Sequence, residues 1–114
     1  MTPNYLFVKI SGMENINIPL TGINEKVIEQ IRDIAARHGI SRVVLFGSRA
    51  RGDFKRASDI DLAVSGGNFP AFALDVDEET STLLMFDFVD LGSNVQPELL
   101  TEIERDGKLI YEKI

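Results

Sequence analysis

The chain has 114 residues, a length suited to one domain around a single core. It contains no cysteine, which excludes a disulfide framework and a thiolate metal site and leaves oxygen ligands or the lone His38 for any metal. Its net charge of −6 argues against broad nucleic-acid affinity, which rests on neutralising many phosphates.

The opening segment, Tyr5 to Ile10 included, has no basic region ahead of a long apolar core, and no apolar run approaches a membrane-spanning length, so a soluble, cytoplasmic chain is expected. Residues 1–22 are read as an N-terminal extension or an edge strand, and residues 23–114 as the folded domain. Val27, Ile28, Ile31, Ile34 and Ala35 recur at helical spacing between Asn24, a good N-cap, and Gly39, a good C′ residue. Arg42 to Phe46 is a β-branched and aromatic run that predicts the first core strand. A basic connection follows from Arg49 to Ala57, and Ser58 to Ser65 alternates as a second strand. After Gly66-Gly67-Asn68, the residues Phe69, Phe72, Ala73, Val76, Thr80 and Leu83 lie at helical spacing, with Pro70 tolerable in a first turn. Leu84 to Leu91 predicts a strand, Pro97 to Arg105 a short helix presenting Leu99, Leu100 and Ile103, and Leu109 to Glu112 an extended end. This order fits an α/β (α+β) sandwich with helices packed on one sheet face and a site on the other.

The chemistry concentrates between Val43 and Leu62. An apolar run ends in Gly47-Ser48, and ten residues later Ser58-Asp59-Ile60-Asp61-Leu62 places two acids one residue apart. Strand periodicity puts Asp59 and Asp61 on one face and Ile60, Leu62 and Val64 on the core face. Two carboxylates so close repel, and a pair of Mg²⁺ ions bridged to a nucleoside triphosphate would offset that repulsion. Between Arg42 and Arg56, five basic residues against Asp53 alone contribute +4 of the net −6 and leave −10 elsewhere, a concentration that suits a compact triphosphate better than a polymer. A half-exposed strand with solvated acids has the same alternation; the joint occurrence of the Gly-Ser turn, the basic stretch and the acid pair favours a site.

The run Leu45-Phe46-Gly47-Ser48-Arg49-Ala50-Arg51-Gly52 with Ser58-Asp59-Ile60-Asp61-Leu62 resembles the signature of the minimal nucleotidyltransferase (MNT) domains of the DNA polymerase beta-like superfamily. The resemblance extends from the helix near Asn24 through Phe86-Asp87-Phe88-Val89-Asp90-Leu91 to the end of the chain. It implies the nucleotidyltransferase fold with a mixed sheet, ATP as substrate, and two Mg²⁺ ions, or Mn²⁺, held by Asp59, Asp61 and a third acid. That third acid is assigned to Asp87. Asp90 lies three residues on, faces the other way in a regular strand, and is placed to cap the turn at Gly92-Ser93. Gly47 and Ser48 are the implied triphosphate ligands, and Arg51 is carried as a further nucleotide-binding candidate, although the sequence leaves open whether Arg49 or Arg51 points inward. His38 is read as a helix-end residue beside exposed carbonyls.

Minimal domains of this family are typically paired with a small helical HEPN protein. The implied function is transfer of AMP from ATP to a hydroxyl, a tyrosine's, of such a partner, in an antitoxin role and within a hetero-oligomer. Two alternatives stand beside it: a non-catalytic antitoxin acting by occlusion, and a transferase for a small acceptor of the aminoglycoside kind.

Overall fold

The computed structural model describes residues 18–114. The proposed edge strand at Tyr5 to Ile10, and most of the 1–22 extension, lie outside the described residues. A single turn, α1 (Ile18–Thr21), leads to α2 (Glu25–Arg37). The Asn24 side chain accepts the Lys26 N–H at 2.8 Å, a cap worth about 1 kcal/mol. All five apolar positions anticipated for this helix are buried. The helix ends at His38, and Gly39 follows at φ +68°, the left-handed conformation that glycine adopts without strain.

Four strands, β1 (Arg42–Phe46), β2 (Ile60–Ser65), β3 (Phe86–Asp90) and β4 (Lys108–Glu112), form one sheet in the order β3-β2-β1-β4. β1 is antiparallel to both β2 and β4, whereas β2 and β3 are parallel. The parallel pair requires a crossover, supplied by α4 (Phe69–Glu79). Asn68 caps this helix by accepting from the Ala71 N–H, and Pro70 sits in the first turn.

Alternation divides the sheet into two faces. Val43, Leu45, Ile60, Leu62, Val64 and Ile110 pack beneath α2 and α4, against Ile28, Ile31, Phe72 and Val76 among others. Phe86 and Phe88 point the same way, with ring centroids 5.8 Å apart, and Phe88 meets Phe69 and Phe72 edge-on. On the opposite face Val44, Phe46 and Ala63 form a smaller apolar patch, covered by Ile103 of α5 (Pro97–Asp106). The mixed sheet expected from the sequence is therefore present, with α2 and α4 on one face; α5 crosses to the acid-bearing face because Val44, Phe46 and Ala63 leave apolar area there that must be covered.

Other local departures have identifiable causes. The basic connection begins with a short helix, α3 (Gly47–Arg51). α4 stops at Glu79, where the Thr80 hydroxyl donates to the Val76 carbonyl at 2.7 Å and the Ser81 N–H to the Gln30 side chain at 2.8 Å. Leu83, expected on the buried face of that helix, is fully exposed. Leu100 is also exposed, and α5 buries Ile103 with Leu99 packed beside it. His38 meets a carboxylate rather than carbonyls: its Nε2 lies 2.7 Å from Asp75 of α4, tying the two helices together away from the sheet's acidic face.

Candidate active site

The strand register brings two of the three predicted acids, Asp61 and Asp87, side by side. Asp61 on β2 lies opposite Phe46 on β1 and opposite Asp87 on β3, so Asp61 and Asp87 share a face across one interstrand spacing of about 4.8 Å. Asp59 is two residues earlier, exposed, in the irregular segment that enters β2. With Phe86 and Phe88 packed into the core, Asp87 must project from the other side, and it is exposed. Asp90 accepts the Gly92 N–H on its side chain at 2.9 Å and the Ser93 N–H on its carbonyl at 3.1 Å. It caps the turn and is not part of the acid group.

The chain leaves β1 through Gly47, which has φ +74°. A Cβ at this position would collide with the Asp61 carboxylate, so glycine is required here twice, for conformation and for space. Gly47 therefore lies directly against Asp61, and Ser48, half-buried, follows it in the first turn of α3.

Burial, then the nearby Asp87 carboxylate, then Asp59 and Glu102, push the Asp61 carboxyl up from 3.8 to about 6, with Arg51 opposing them. The site thus has a surplus of negative charge and only oxygen donors, a combination that fits Mg²⁺ or Mn²⁺. Among the described residues no three carboxylates or imidazoles converge on a common ligand point.

The structure separates the two arginines. Arg49 is 2% exposed, and its three nitrogens donate to the carbonyls of Ser58 (2.9 Å), Thr21 (2.8 Å) and Arg56 (3.2 Å). Its guanidinium lies 4.7 Å from the centre of the Phe54 ring, a cation–π contact. Arg49 is a strap that fixes the backbone just before Asp59 and fastens α1 to the domain. Arg51 is exposed and paired with Asp53 at 3.2 Å, Glu102 at 3.5 Å and Asp106 at 3.8 Å. The Ser58 hydroxyl accepts from the Lys55 N–H at 2.8 Å, holding the loop.

Sequence reasoning missed Glu102, because which face of α5 meets the acids is set by the tertiary packing of Ile103 and has no local signature. A concavity of about 410 Å³, lined by Arg42, Val44, Ile103, Glu104, Gly107, Leu109 and Glu112, includes none of the three acids.

A mixed sheet presenting paired acids beside a Gly-Ser turn is the arrangement expected of a nucleotidyltransferase. The polymerase beta nucleotidyltransferase family matches residues 29–114. The chain belongs to this family, and it is a nucleotidyltransferase. Comparison with curated protein sequences gives no match. Among solved structures, the chain is similar to a chain of a toxin-antitoxin complex with AMP-PNP, with 24% identity over 75% of this chain and 73% of the other, and a TM-score of 0.60. It is also similar to a chain of a mutant of the toxin-antitoxin MntA-HpeT, with 21% identity, coverage of 80% and 75% and a TM-score of 0.61. A putative nucleotidyltransferase from Sulfolobus solfataricus is similar at 22% identity, with coverage of 89% and 93% and a TM-score of 0.50. These likenesses share the fold. Among the described residues no helix is long and apolar enough to cross a membrane.

Proposed function

We propose that this chain is the antitoxin of a toxin–antitoxin pair and moves AMP from ATP onto a hydroxyl, a tyrosine's, of a helical HEPN-type partner, thereby silencing it. The observation that carries this reading is the register that sets Asp87 beside Asp61, with Gly47 packed against the same carboxylate. Membership of the family supports the reaction class, and the shared fold with chains of toxin–antitoxin assemblies, one of them with AMP-PNP, supports the partner and the adenine nucleotide.

In this reading Asp59, Asp61 and Asp87 hold two Mg²⁺ ions, which would stabilise the charge developing on the attacking and departing oxygens. The chain's own groups do the rest. Gly47, with no side chain, lets phosphate approach the backbone, and the Ser48 hydroxyl donates to a phosphate oxygen. Arg51 balances charge on the triphosphate end. Arg49 keeps Asp59 at a fixed height by holding the Ser58 carbonyl. Asp87, on an edge strand and exposed, is the acid open to an incoming acceptor. The acceptor oxygen bonds to the α-phosphorus as the bond to the bridging oxygen breaks; pyrophosphate leaves with that electron pair, and the hydroxyl proton passes to solvent water.

The test is intact-mass spectrometry of the reconstituted pair with ATP and Mg²⁺. The partner should gain one or more AMP units while this chain keeps its mass, and Asp59→Asn should abolish the gain. A partner that stays unmodified yet loses its activity would establish silencing by occlusion instead, and absence of any complex would point to a small acceptor.

A further inference from the structure

Arg51 is the basic side chain of the signature that is not committed to main-chain carbonyls, yet it is already engaged by three carboxylates. Its Nε donates to Asp53, two residues away, at 3.2 Å. Its other end faces α5, where Nη1 lies 3.5 Å from Glu102 and 3.8 Å from Asp106. Both α5 contacts are longer than a good charge-assisted hydrogen bond of roughly 2.7–2.9 Å. They join side chains exposed by 37%, 34% and 13%, so water screens the attraction. A triphosphate offers a guanidinium bidentate oxygens and several charges at once, and would displace such loose pairs. Glu102 also contributes its negative charge at Asp61, and Arg51 opposes it, so this latch sits within reach of the acid group rather than on a remote surface.

We infer that Glu102 and Asp106 act as an internal competitor for the triphosphate, holding the Arg51 guanidinium against α5 until the nucleotide takes it. The inference rests on the nucleotide site proposed above and adds to it a device that lowers affinity for free nucleotide. Arg51 then has two partners in turn, α5 and the triphosphate, and nucleotide binding loosens the end of α5 from α3.

Titration calorimetry with AMP-PNP and Mg²⁺ tests this through a double-mutant cycle. The Glu102→Gln, Asp106→Asn variant should bind about threefold to tenfold more tightly than the parent, the equivalent of losing the two weak ion pairs of Arg51, although Asp106→Asn also gives up the closer pair with Arg105 at 2.9 Å. In an Arg51→Gln background the same two substitutions should change affinity by less than about twofold, since only the freed guanidinium carries the gain. Glu102→Gln alone, at a half-buried position more open than Asp106, guards against a loss of fold at Asp106 and should still tighten binding in the parent background. Unchanged or weaker binding overturns the inference, and so does an equal gain in both backgrounds, which would mean simple relief of charge. If the parent chain binds no triphosphate, the proposed site itself fails and the inference with it; sound binding without the cycle's coupling refutes the latch alone.

Discussion

Replacing Asp61 by Asn should make the metal-free protein more stable while destroying its activity. The Asp61 carboxyl is raised from 3.8 to about 6, first by burial and then by Asp87 and Asp59. Between those values the folded chain holds a proton that the unfolded chain has lost, so stability falls as pH rises through this window and stays reduced above it. A shift of two units corresponds to about 3 kcal/mol at 1.36 kcal/mol per unit, and partial exposure of the side chain reduces this to about 1–2 kcal/mol. The isosteric Asp61→Asn removes the repelled charge and keeps the shape packed under Gly47. At pH 8 its Tm should therefore exceed the parent's by roughly 5–10 °C, measured by circular dichroism in chelator. Below pH 4, where the parent's carboxyl is neutral, the difference should vanish. Addition of Mg²⁺ with AMP-PNP should raise the parent's Tm and leave the variant's unchanged. A Tm lowered equally at both pH values would refute this reasoning, because it would make Asp61 a structural partner of the turn and not a charge awaiting a cation.

Asp87→Asn should lower transfer by orders of magnitude with Tm nearly unchanged, whereas Asp90→Asn should keep most activity and lose about 0.5–1.5 kcal/mol from its turn hydrogen bond; the reverse ranking would show that the wrong acid had been assigned. Gly47→Ala should cost at least about 1–2 kcal/mol for a non-glycine residue at positive φ, read by urea denaturation, and should also depress transfer by displacing the Asp61 carboxylate. Arg49→Met leaves three carbonyls without their donor and should cost about 3 kcal/mol or more, with Arg49→Lys recovering part of it in the same denaturation assay.

The placement of Asp61 and Asp87 could be read from the sequence because its determinants are local. Two-residue alternation put both on the sheet face opposite the larger core, where the register sets them side by side. The cap at Asn24 and the glycine at position 39 bounded α2 to within a residue, and the three-residue offset separated Asp87 from Asp90, whose side chain does cap the Gly92 turn. What escaped depends on contacts distant in sequence. The choice between Arg49 and Arg51 turns on where Thr21 and Arg56 deliver their carbonyls. α5 covers the acidic face because of an apolar patch made jointly by Val44, Phe46 and Ala63, and Glu102 arrives with it. The exposure of Leu83 follows from a helix end set by Thr80 and Gln30, where apolar spacing alone would have continued the helix.

The account turns on one proposal, that Asp59, Asp61 and Asp87 form a metal and nucleotide site beside Gly47, which packs against Asp61. Crystals grown with AMP-PNP and Mn²⁺, measured for anomalous scattering from manganese, locate the metal without recourse to any assay. The account predicts anomalous density between these three carboxylates, with the triphosphate running from there toward Ser48 and Arg51. Manganese and nucleotide found elsewhere, for instance in the concavity between Arg42, Glu104 and Glu112, with the three acids left free, would contradict it.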